Sequence, residues 1–376
     1  MSHIVIIGGG FAGVWSAVAA ARTRGDGKSP RITLVTPDDD LVLRPRLHRL
    51  DPDAARVPLK RILAPVGAEH LRAKVTDIDT TGHRVTADGH EIGYDRLVLA
   101  SGSRLVRPGL PGAEHLFDVD TAEGAARLAS RLRGLDGFTA VVVGAGFTGL
   151  EVATELASRG NVVLVERADV VGPDLGPGPR PVIEAALADL GIRTLLGTAV
   201  AAVDAGGATL ADGTRIAADA VVWTGGVQAG PLTALVPGER DHLGRLAVDR
   251  HLRVRGETGG DVFAAGDVAA ALAEPGHHVL QCCQHAVPMG KVAGHNAVAD
   301  LLGLPPEDFA PDPYVTCLDL GAAGAVTTAG WDRTVRLTGT AAKERKELIL
   351  RMIRPPLDDA GELFRAASRQ GVGVPR

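Results

Sequence analysis

The chain has 376 residues, of which 45% are hydrophobic and 23% charged, a composition typical of soluble globular proteins. Its length predicts two or three domains. With 40 basic and 45 acidic residues the formal net charge is -5, and no basic block offers the footprint that a nucleic-acid backbone needs. No apolar stretch approaches the ~20 residues that span a bilayer, so we expect no transmembrane helix.

The N-terminus and the cysteines indicate the cellular compartment. Met1-Ser2-His3 leads directly into an apolar run at residues 4–7, without the basic region and cleavage site of a secretory signal. Three cysteines are too few, and odd in number, for a disulfide framework. We therefore expect a cytoplasmic protein, and the sequence predicts no metal site.

One glycine motif occurs twice in the chain. Residues 4–13 read I-V-I-I-G-G-G-F-A-G, and residues 140–149 read A-V-V-V-G-A-G-F-T-G. In both copies a buried β-run leads into G-x-G-x-x-G and an alanine-rich helical stretch follows (residues 14–23 and 150–159). A second β-run closes each unit, at residues 32–36 and 162–166. Each copy therefore predicts a βαβ unit that binds a dinucleotide.

The three glycines of such a motif have separate roles. The first permits the tight turn, the second lets a pyrophosphate approach the backbone, and the third lets helix and strand pack closely. The helix N-terminus then stabilises the negative charge of the pyrophosphate. These positions are Gly8, Gly10 and Gly13 in the first copy and Gly144, Gly146 and Gly149 in the second.

The residue that ends the second β-run distinguishes the two copies. A carboxylate at this position accepts hydrogen bonds from the adenosine ribose and disfavours a 2′-phosphate. The second copy has Glu166 here, whereas the first has Thr36, whose hydroxyl is a weaker partner for a ribose. The second copy is therefore the better NAD site and predicts a preference for NADH, while the neighbouring Arg167 leaves NADPH open.

Three further apolar strands end in small residues, which let a backbone pass close to a cofactor. The first of them, at residues 94–103, leads into the small residues Ala100 and Gly102. A similar segment, at residues 218–226, contains Gly225. A third, at residues 258–267, ends in Gly266-Asp267. An acid just after a strand can accept a hydrogen bond from a ribityl hydroxyl, so Asp267 is a candidate flavin ligand.

In the order of these motifs, residues 3–303 resemble the flavoproteins with two dinucleotide-binding domains, the pyridine nucleotide-disulfide oxidoreductase superfamily. The resemblance implies that the first glycine motif, the segment from Ala100 to Gly102 and Gly266-Asp267 bind FAD, and that the second motif binds NAD(P)H. The implied fold is α/β, with two Rossmann-like domains and a small α+β C-terminal segment. The FAD-binding domain (1–106 and 250–310) is interrupted by the NAD(P)H-binding domain (107–249), and 311–376 form the C-terminal interface segment.

Within the superfamily the chain resembles the type II NADH dehydrogenases. The cysteine pairs of the disulfide reductases, C-x-x-x-x-C and C-x-x-C, do not occur. Residues 283–290 instead resemble the A-Q-x-A-x-Q-Q-G helix start of that branch, and residues 223–226, residues 44–48 and Asn296 also match it. The chain departs from the branch at Pro288 and Met289, which replace two glutamines that contact a quinone.

The same resemblance implies roles for four residues near the reacting groups. Glu151 would touch the nicotinamide ribose or amide, or is otherwise a charge that stabilises the helix dipole. The helix start at Gln284 would direct its backbone N–H groups at the flavin. Arg46 and His48 would lie on the acceptor side of the flavin, or are otherwise ordinary surface residues. We treat Glu151, Gln284, His48 and Arg46 as candidate catalytic residues.

The C-terminal residues and the cysteines allow more than one interpretation. Residues 314–320 and 324–328 predict two strands, and residues 340–353 predict one helix. The basic face of that helix carries Lys343, Arg345, Lys346 and Arg351. This face is either a solvated face next to a domain or dimer surface, or it lies on an anionic membrane. Cys282 and Cys283 are expected to be small buried side chains, and a redox pair of Cys283 with Cys317 is the alternative.

The sequence thus predicts an FAD-dependent NAD(P)H oxidoreductase. It would pass hydride from NADH to FAD N5 and electrons on to a quinone or another small acceptor. Two alternatives stay open: a biosynthetic flavoenzyme acting on a specific metabolite, and a redox-sensing flavoprotein resembling apoptosis-inducing factor. The expected partner is a small-molecule electron acceptor and not a nucleic acid; membrane contact would be peripheral at most, and a homodimer stays open.

Overall fold

The computed structural model describes residues 2–26 and 29–368. Within these ranges it contains eight α-helices, two parallel sheets that form the core, and several small sheets. The helices are α1 (Phe11–Arg24), α2 (Lys60–Leu63), α3 (Ala122–Leu132), α4 (Phe147–Leu156), α5 (Arg180–Asp189), α6 (Cys283–Leu302), α7 (Gly339–Met352) and α8 (Ala360–Ala367).

The two parallel sheets have the same arrangement of strands. The first runs, in spatial order, Val262–Ala264, Arg96–Leu99, His3–Ile7, Arg31–Thr36, Glu69–Arg72. The second runs Leu116–Phe117, Ala220–Trp223, Thr139–Val143, Asn161–Val165, Arg193–Leu195. In both sheets the strand that leads into the glycine motif is central, which confirms the predicted α/β fold with two Rossmann-like units.

The first unit is built by burial of an apolar strand and an alanine-rich helix. Residues 4–7 are buried on both faces, as a central parallel strand requires. Helix α1 packs closely on α6: a Cβ built on Gly290 or Gly294 would lie 2.3 or 2.1 Å from a backbone oxygen of α1. Ser16 of α1 also donates a hydrogen bond to the Gly290 carbonyl at 3.0 Å. This contact fixes α6 against the first glycine motif.

Small sheets flank the two units. Besides the sheet of the C-terminal segment, two are three-stranded and antiparallel: Val75–Asp79, Arg84–Ala87, His90–Gly93, and Val200–Asp204, Gly207–Leu210, Arg215–Ala217. Four are two-stranded: Asp40–Val42 with Arg56–Pro58, Ser103–Leu105 with Val227–Ala229, Leu246–Ala247 with Ala269–Ala270, and Leu272–Glu274 with His277–His278.

The C-terminal segment has more elements than the sequence predicts. Strands Val315–Asp319 and Ala325–Ala329 and helix α7 correspond to the predicted elements, but a third antiparallel strand, Thr334–Thr338, and helix α8 were missed. The third strand lies at the edge of its sheet and is mostly exposed, so it lacks an apolar run. Helix α8 is short, although its N-cap Asp359 accepts a hydrogen bond from the Glu362 N–H at 2.8 Å.

The two parallel sheets take their strands from different parts of the chain, as expected for two domains. The first takes its strands from residues 3–99 and 262–264, and the second from residues 116–223. The exact boundaries of the FAD-binding domain, the NAD(P)H-binding domain and the C-terminal segment stay a prediction. Among the described residues no helix combines the length and the apolar character needed to cross a membrane.

Candidate active site

Both glycine motifs open onto one cavity of about 2170 Å³. Its wall also includes the start of α6 and parts of the C-terminal sheet and of α7. The predicted site residues that line it are Gly8, Gly10, Thr36, His48, Ala100, Gly102, Gly144, Gly146, Glu151, Glu166, Gly225, Gly266, Asp267 and Gln284. Gly13, Gly149 and Arg46 lie outside this lining, and Arg46 is half-buried.

The first motif has the backbone geometry that a pyrophosphate site needs. Gly8 has φ +114°, and a Cβ there would lie 2.3 Å from the Ala100 carbonyl oxygen. A Cβ on Gly13 would lie 1.8 Å from the Gly8 carbonyl oxygen, so this position must stay a glycine for helix and strand to pack. At Gly10, by contrast, a Cβ would meet no described atom within 4 Å. The first motif thus presents an open approach to the N-terminus of α1.

Asp267 lies beside this motif in a polar corner. The Ser103 hydroxyl donates to Asp267 Oδ2 at 2.6 Å, and Arg44 Nη1 lies 3.5 Å from the same oxygen. Burial raises the pKa of Asp267, while Arg44 and Ser103 oppose that shift. The buried Ser101 Oγ, on the same wall, has no hydrogen-bond partner among the described residues. The open glycine and these polar groups fit a flavin dinucleotide, with Asp267 suited to a ribityl hydroxyl.

In the second motif Glu166 is held by the backbone. Its Oε2 accepts a hydrogen bond from the Ala145 N–H at 2.7 Å, and its Oε1 accepts from the Ala168 N–H at 2.9 Å. Since Ala145 lies between the first two glycines of the motif, Glu166 also holds the glycine turn in place. The carboxylate lines the cavity and is suited to a ribose diol, and the exposed Arg167 lies beside it.

Helix α6 begins at Cys283 and brings its N-terminus to the cavity. The Gln284 side chain donates to the Pro313 carbonyl at 3.3 Å, so it is held against the C-terminal segment. Of the two residues that replace quinone-contacting glutamines, Pro288 lines the cavity, whereas Met289 is buried in the core. Asn296, further along α6, bonds the main chain at three points and is structural.

The three cysteines are free thiols. Cys282 immediately precedes α6, and Cys317 lies on strand Val315–Asp319, where its Sγ is 3.6 Å from the Ala342 carbonyl oxygen. Burial raises the pKa of Cys283 and of Cys317 to about 11, and it also raises that of Cys282. Cys317 is buried, but Cys282 and Cys283 are half-buried and line the cavity, so neither is the fully buried side chain that the sequence predicts. The raised pKa values keep all three thiols neutral at pH 7.

A buried cluster of charged side chains surrounds Glu151. Lys346 Nζ donates to Glu151 Oε1 at 2.6 Å, and the Asp319 N–H donates to the same oxygen at 3.1 Å. His48 Nδ1 lies 3.5 Å from Glu151 Oε2, and its Nε2 lies 3.7 Å from Asp319 Oδ2. Glu151 is 5% exposed and Lys346 4%. The cluster therefore ties α4 to the C-terminal segment at the cavity wall.

Two further cations balance the buried carboxylate of Asp319. Lys343 and Arg49 both pair with it, and Arg49 also pairs with Glu347. Burial would raise the pKa of Asp319, but the neighbouring His48 and the hydrogen bond from Lys343 hold it far below its usual range. Burial likewise opposes the charge on Lys346, yet Glu151 raises the pKa of that ammonium. The Lys346 ammonium is thus held in its charged form.

Lys346 and Asp319 are the site residues that the sequence analysis missed. The prediction of an exposed basic face on the C-terminal helix is wrong for Lys346, which is buried against Glu151. A signal was present: the buried positions of α7 are Ala342, Lys346 and Leu350, spaced by four residues, so Lys346 falls within the apolar stripe. A lysine in such a stripe requires a buried partner.

Two Rossmann units that share one cavity define an oxidoreductase that binds two dinucleotides. The model of the pyridine nucleotide-disulphide oxidoreductase family matches residues 2–290, and the chain belongs to this family. The protein is therefore an NAD(P)H oxidoreductase, with FAD and NAD(P)H as its cofactors.

The relatives place the chain in the NADH dehydrogenase-like branch. It is 46% identical to an NADH dehydrogenase-like protein of Mycobacterium tuberculosis, over 98% of both chains. It is 28% identical to the demethylphylloquinone reductase of Synechocystis sp., covering 92% of this chain and 91% of the relative. Its fold matches the NDH2 structure from Plasmodium falciparum in complex with NADH with a TM-score of 0.75, at 13% identity and 100% coverage of both chains.

Proposed function

We propose that the chain oxidises NADH at the second glycine motif and passes the electrons, through FAD at the first motif, to a quinone or another small acceptor. The observation that carries the proposal is the single cavity onto which both motifs and the start of α6 open. Cofactors in one cavity can be in direct contact, as hydride transfer requires.

The first motif is the proposed FAD site. Gly8 and Gly10 and the N-terminus of α1 would hold the pyrophosphate, and Asp267 a ribityl hydroxyl. The N-terminus of α6 would face the flavin ring and stabilise negative charge on it. When bound, FAD supplies the chemistry that takes a hydride from NADH and releases electrons to an acceptor.

The second motif is the proposed NADH site. Gly144 and Gly146 would let the pyrophosphate approach α4, and Glu166 would accept hydrogen bonds from the adenosine ribose. Glu151, on the first turns of α4, lines the cavity and would lie toward the nicotinamide end. The pairing of Glu151 with Lys346 fixes the position of this carboxylate.

A quinone acceptor is supported by the apolar part of the cavity wall. Helix α7 contributes Ile349 and Leu350, and Ile353 follows its C-terminus. Such a surface suits an apolar ring or tail. The name of the Synechocystis relative, a demethylphylloquinone reductase, points to the same class of acceptor. Reduction of a quinone also consumes protons, and His48 and Glu151 are buried ionisable groups on this wall.

An anaerobic acceptor screen tests the proposal. The purified flavoprotein is reduced with NADH and then mixed with quinones, ferricyanide, oxygen or candidate metabolites, while reoxidation of the flavin is followed by absorbance. We expect repeated turnover with quinones. Turnover with one metabolite only would favour the biosynthetic alternative. A single reduction followed by a long-lived charge-transfer band would favour the redox sensor.

A further inference from the structure

The two glycine motifs differ at their second glycine. In the described part of the chain, a Cβ built on Gly10 meets no atom within 4 Å, whereas one built on Gly146 lies 3.5 Å from both carboxylate oxygens of Asp174. The second glycine is where the pyrophosphate of a dinucleotide approaches the backbone. An acidic side chain therefore covers this approach in the second motif but not in the first.

The loop that carries Asp174 is tied to the motif that it covers. Gly172 donates a backbone hydrogen bond to the Ala145 carbonyl at 2.9 Å, and Ala145 lies between Gly144 and Gly146. Gly172 and Gly176 have φ +57° and +74°, so glycines form the bends on both sides of Asp174. The loop thus holds the carboxyl group over the start of α4.

The charges around Asp174 come from three elements. The residue is exposed to the cavity, but the protein on its other sides desolvates the carboxyl group and raises its pKa. Arg333, which precedes the last strand of the C-terminal sheet, and the main chain of Phe147 in α4 oppose this shift, whereas Glu166 adds to it. Asp174 is thus near the amides at the N-terminus of α4, where a pyrophosphate would bind.

We propose that the Asp174 carboxylate covers the pyrophosphate position of the second motif in the free protein, and that NADH must displace it to bind. The two anions compete for the same helix N-terminus, so the charge of Asp174 lowers the affinity for NADH. Asp174 thereby sets the NADH concentration at which the enzyme works, without touching the reacting atoms. The inference rests on the proposed assignment of NADH to the second motif.

The test uses the FAD-loaded enzyme and two electron donors. NADH carries the pyrophosphate, whereas reduced nicotinamide riboside has the same reacting ring and lacks it. Asp174→Asn removes the charge at nearly constant size, and Asp174→Ser is a second neutral variant. Asp169→Asn is the matched control, because Asp169 lies in the same loop but outside the cavity lining, beside Gly197.

We expect both neutral variants at Asp174 to lower the KM for NADH by ~3- to 10-fold, with kcat unchanged, because a like charge near the phosphates is gone. The KM for reduced nicotinamide riboside should not change in these variants, and Asp169→Asn should behave as wild type with both donors. An inhibition constant for ADP-ribose should fall in parallel with the KM for NADH.

Two results would overturn the inference. One is a KM for NADH that is unchanged or raised in Asp174→Asn and Asp174→Ser while both variants retain FAD. The other is an equal change with both donors, since the effect would then not involve the pyrophosphate. If the proposed function is wrong, the results will differ from these. The wild-type protein would then not oxidise NADH, or substitution of Glu166 would leave the KM for NADH unchanged.

Discussion

Lys346 on α7 donates a hydrogen bond to Glu151 on α4 at 2.6 Å, and both side chains are buried at the cavity wall. The pair joins the second Rossmann unit to the C-terminal segment. A buried charge that loses its partner destabilises a protein strongly, because its desolvation is no longer compensated. The contact therefore ties the stability of the fold to the candidate active site.

Removal of either partner should destabilise the protein. We expect Lys346→Met and Glu151→Gln each to lower the free energy of unfolding by roughly 3 kcal/mol, as for other broken buried pairs. The double variant should lose clearly less than the sum of the two. Urea unfolding followed by tryptophan fluorescence measures this, with the exposed Arg351→Met on the same helix as control. Additive losses would show that the two charges do not interact.

Substitution of Glu166 should weaken NADH binding in two ways. Glu166→Ala removes the acceptor for the ribose and also releases the Ala145 and Ala168 amides that the carboxylate holds. Leaving these groups without partners should cost ~1 to 3 kcal/mol of binding free energy, so the KM for NADH should rise roughly 5- to 150-fold. The variant should discriminate less between NADH and NADPH. Because the glycine turn is also disturbed, its KM for NADPH should stay above the KM of the wild type for NADH. A wild type that prefers NADPH more than tenfold would assign the dominant role to Arg167.

His285 should make the protein less stable at mildly acid pH. Burial lowers the pKa of His285 from 6.5 to about 4. Below pH 6.5 the unfolded chain therefore binds a proton that the folded chain does not, and stability falls until about pH 4, by roughly 3 kcal/mol in all. His285→Gln should lose less stability than wild type between pH 7 and 4, and the exposed His90→Gln should not differ from wild type. Equal slopes for wild type and His285→Gln would contradict the assignment.

The cavity wall at Pro288 should make the enzyme poorly selective among quinones. A hydrogen-bonded carbonyl is worth ~0.5 to 1.5 kcal/mol, and neither Pro288 nor the buried Met289 offers such a bond. Modest changes of ring substitution should therefore change kcat/KM little in an anaerobic quinone series. A low KM for one long-chain quinone, lost in His48→Ala but kept in Arg46→Ala, would instead show that His48 supplies the missing contact.

The repeated motif let the sequence predict the two Rossmann units and the part of the cavity wall that the two glycine motifs form. Gly8 meets Ala100, which follows the adjacent strand, but the contact of Gly13 is local: a Cβ there would meet the Gly8 carbonyl oxygen of the same motif. The same holds for Glu166, which bonds a residue of its own motif. Short-range geometry of this kind is encoded in spacing, so it can be read from one sequence.

Contacts between distant segments could not be predicted in this way. Lys346 and Glu151 are 195 positions apart, and no local pattern pairs them, although the buried stripe of α7 indicates that Lys346 needs a partner. Asp174 lies in a loop of glycines and prolines, where periodicity gives no information about which way a side chain points. Both contacts depend on how the second unit packs, which the sequence pattern does not specify.

The most direct test of the central claim compares two variants of the second glycine, Gly10→Val and Gly146→Val, by flavin content and anaerobic reduction with NADH. A Cβ at either position meets no backbone, so both variants should fold. We predict that Gly10→Val is purified without FAD, whereas Gly146→Val keeps noncovalent FAD that NADH no longer reduces at concentrations sufficient for wild type. Loss of FAD in Gly146→Val together with its retention in Gly10→Val, or release of FMN from wild type, would contradict the account.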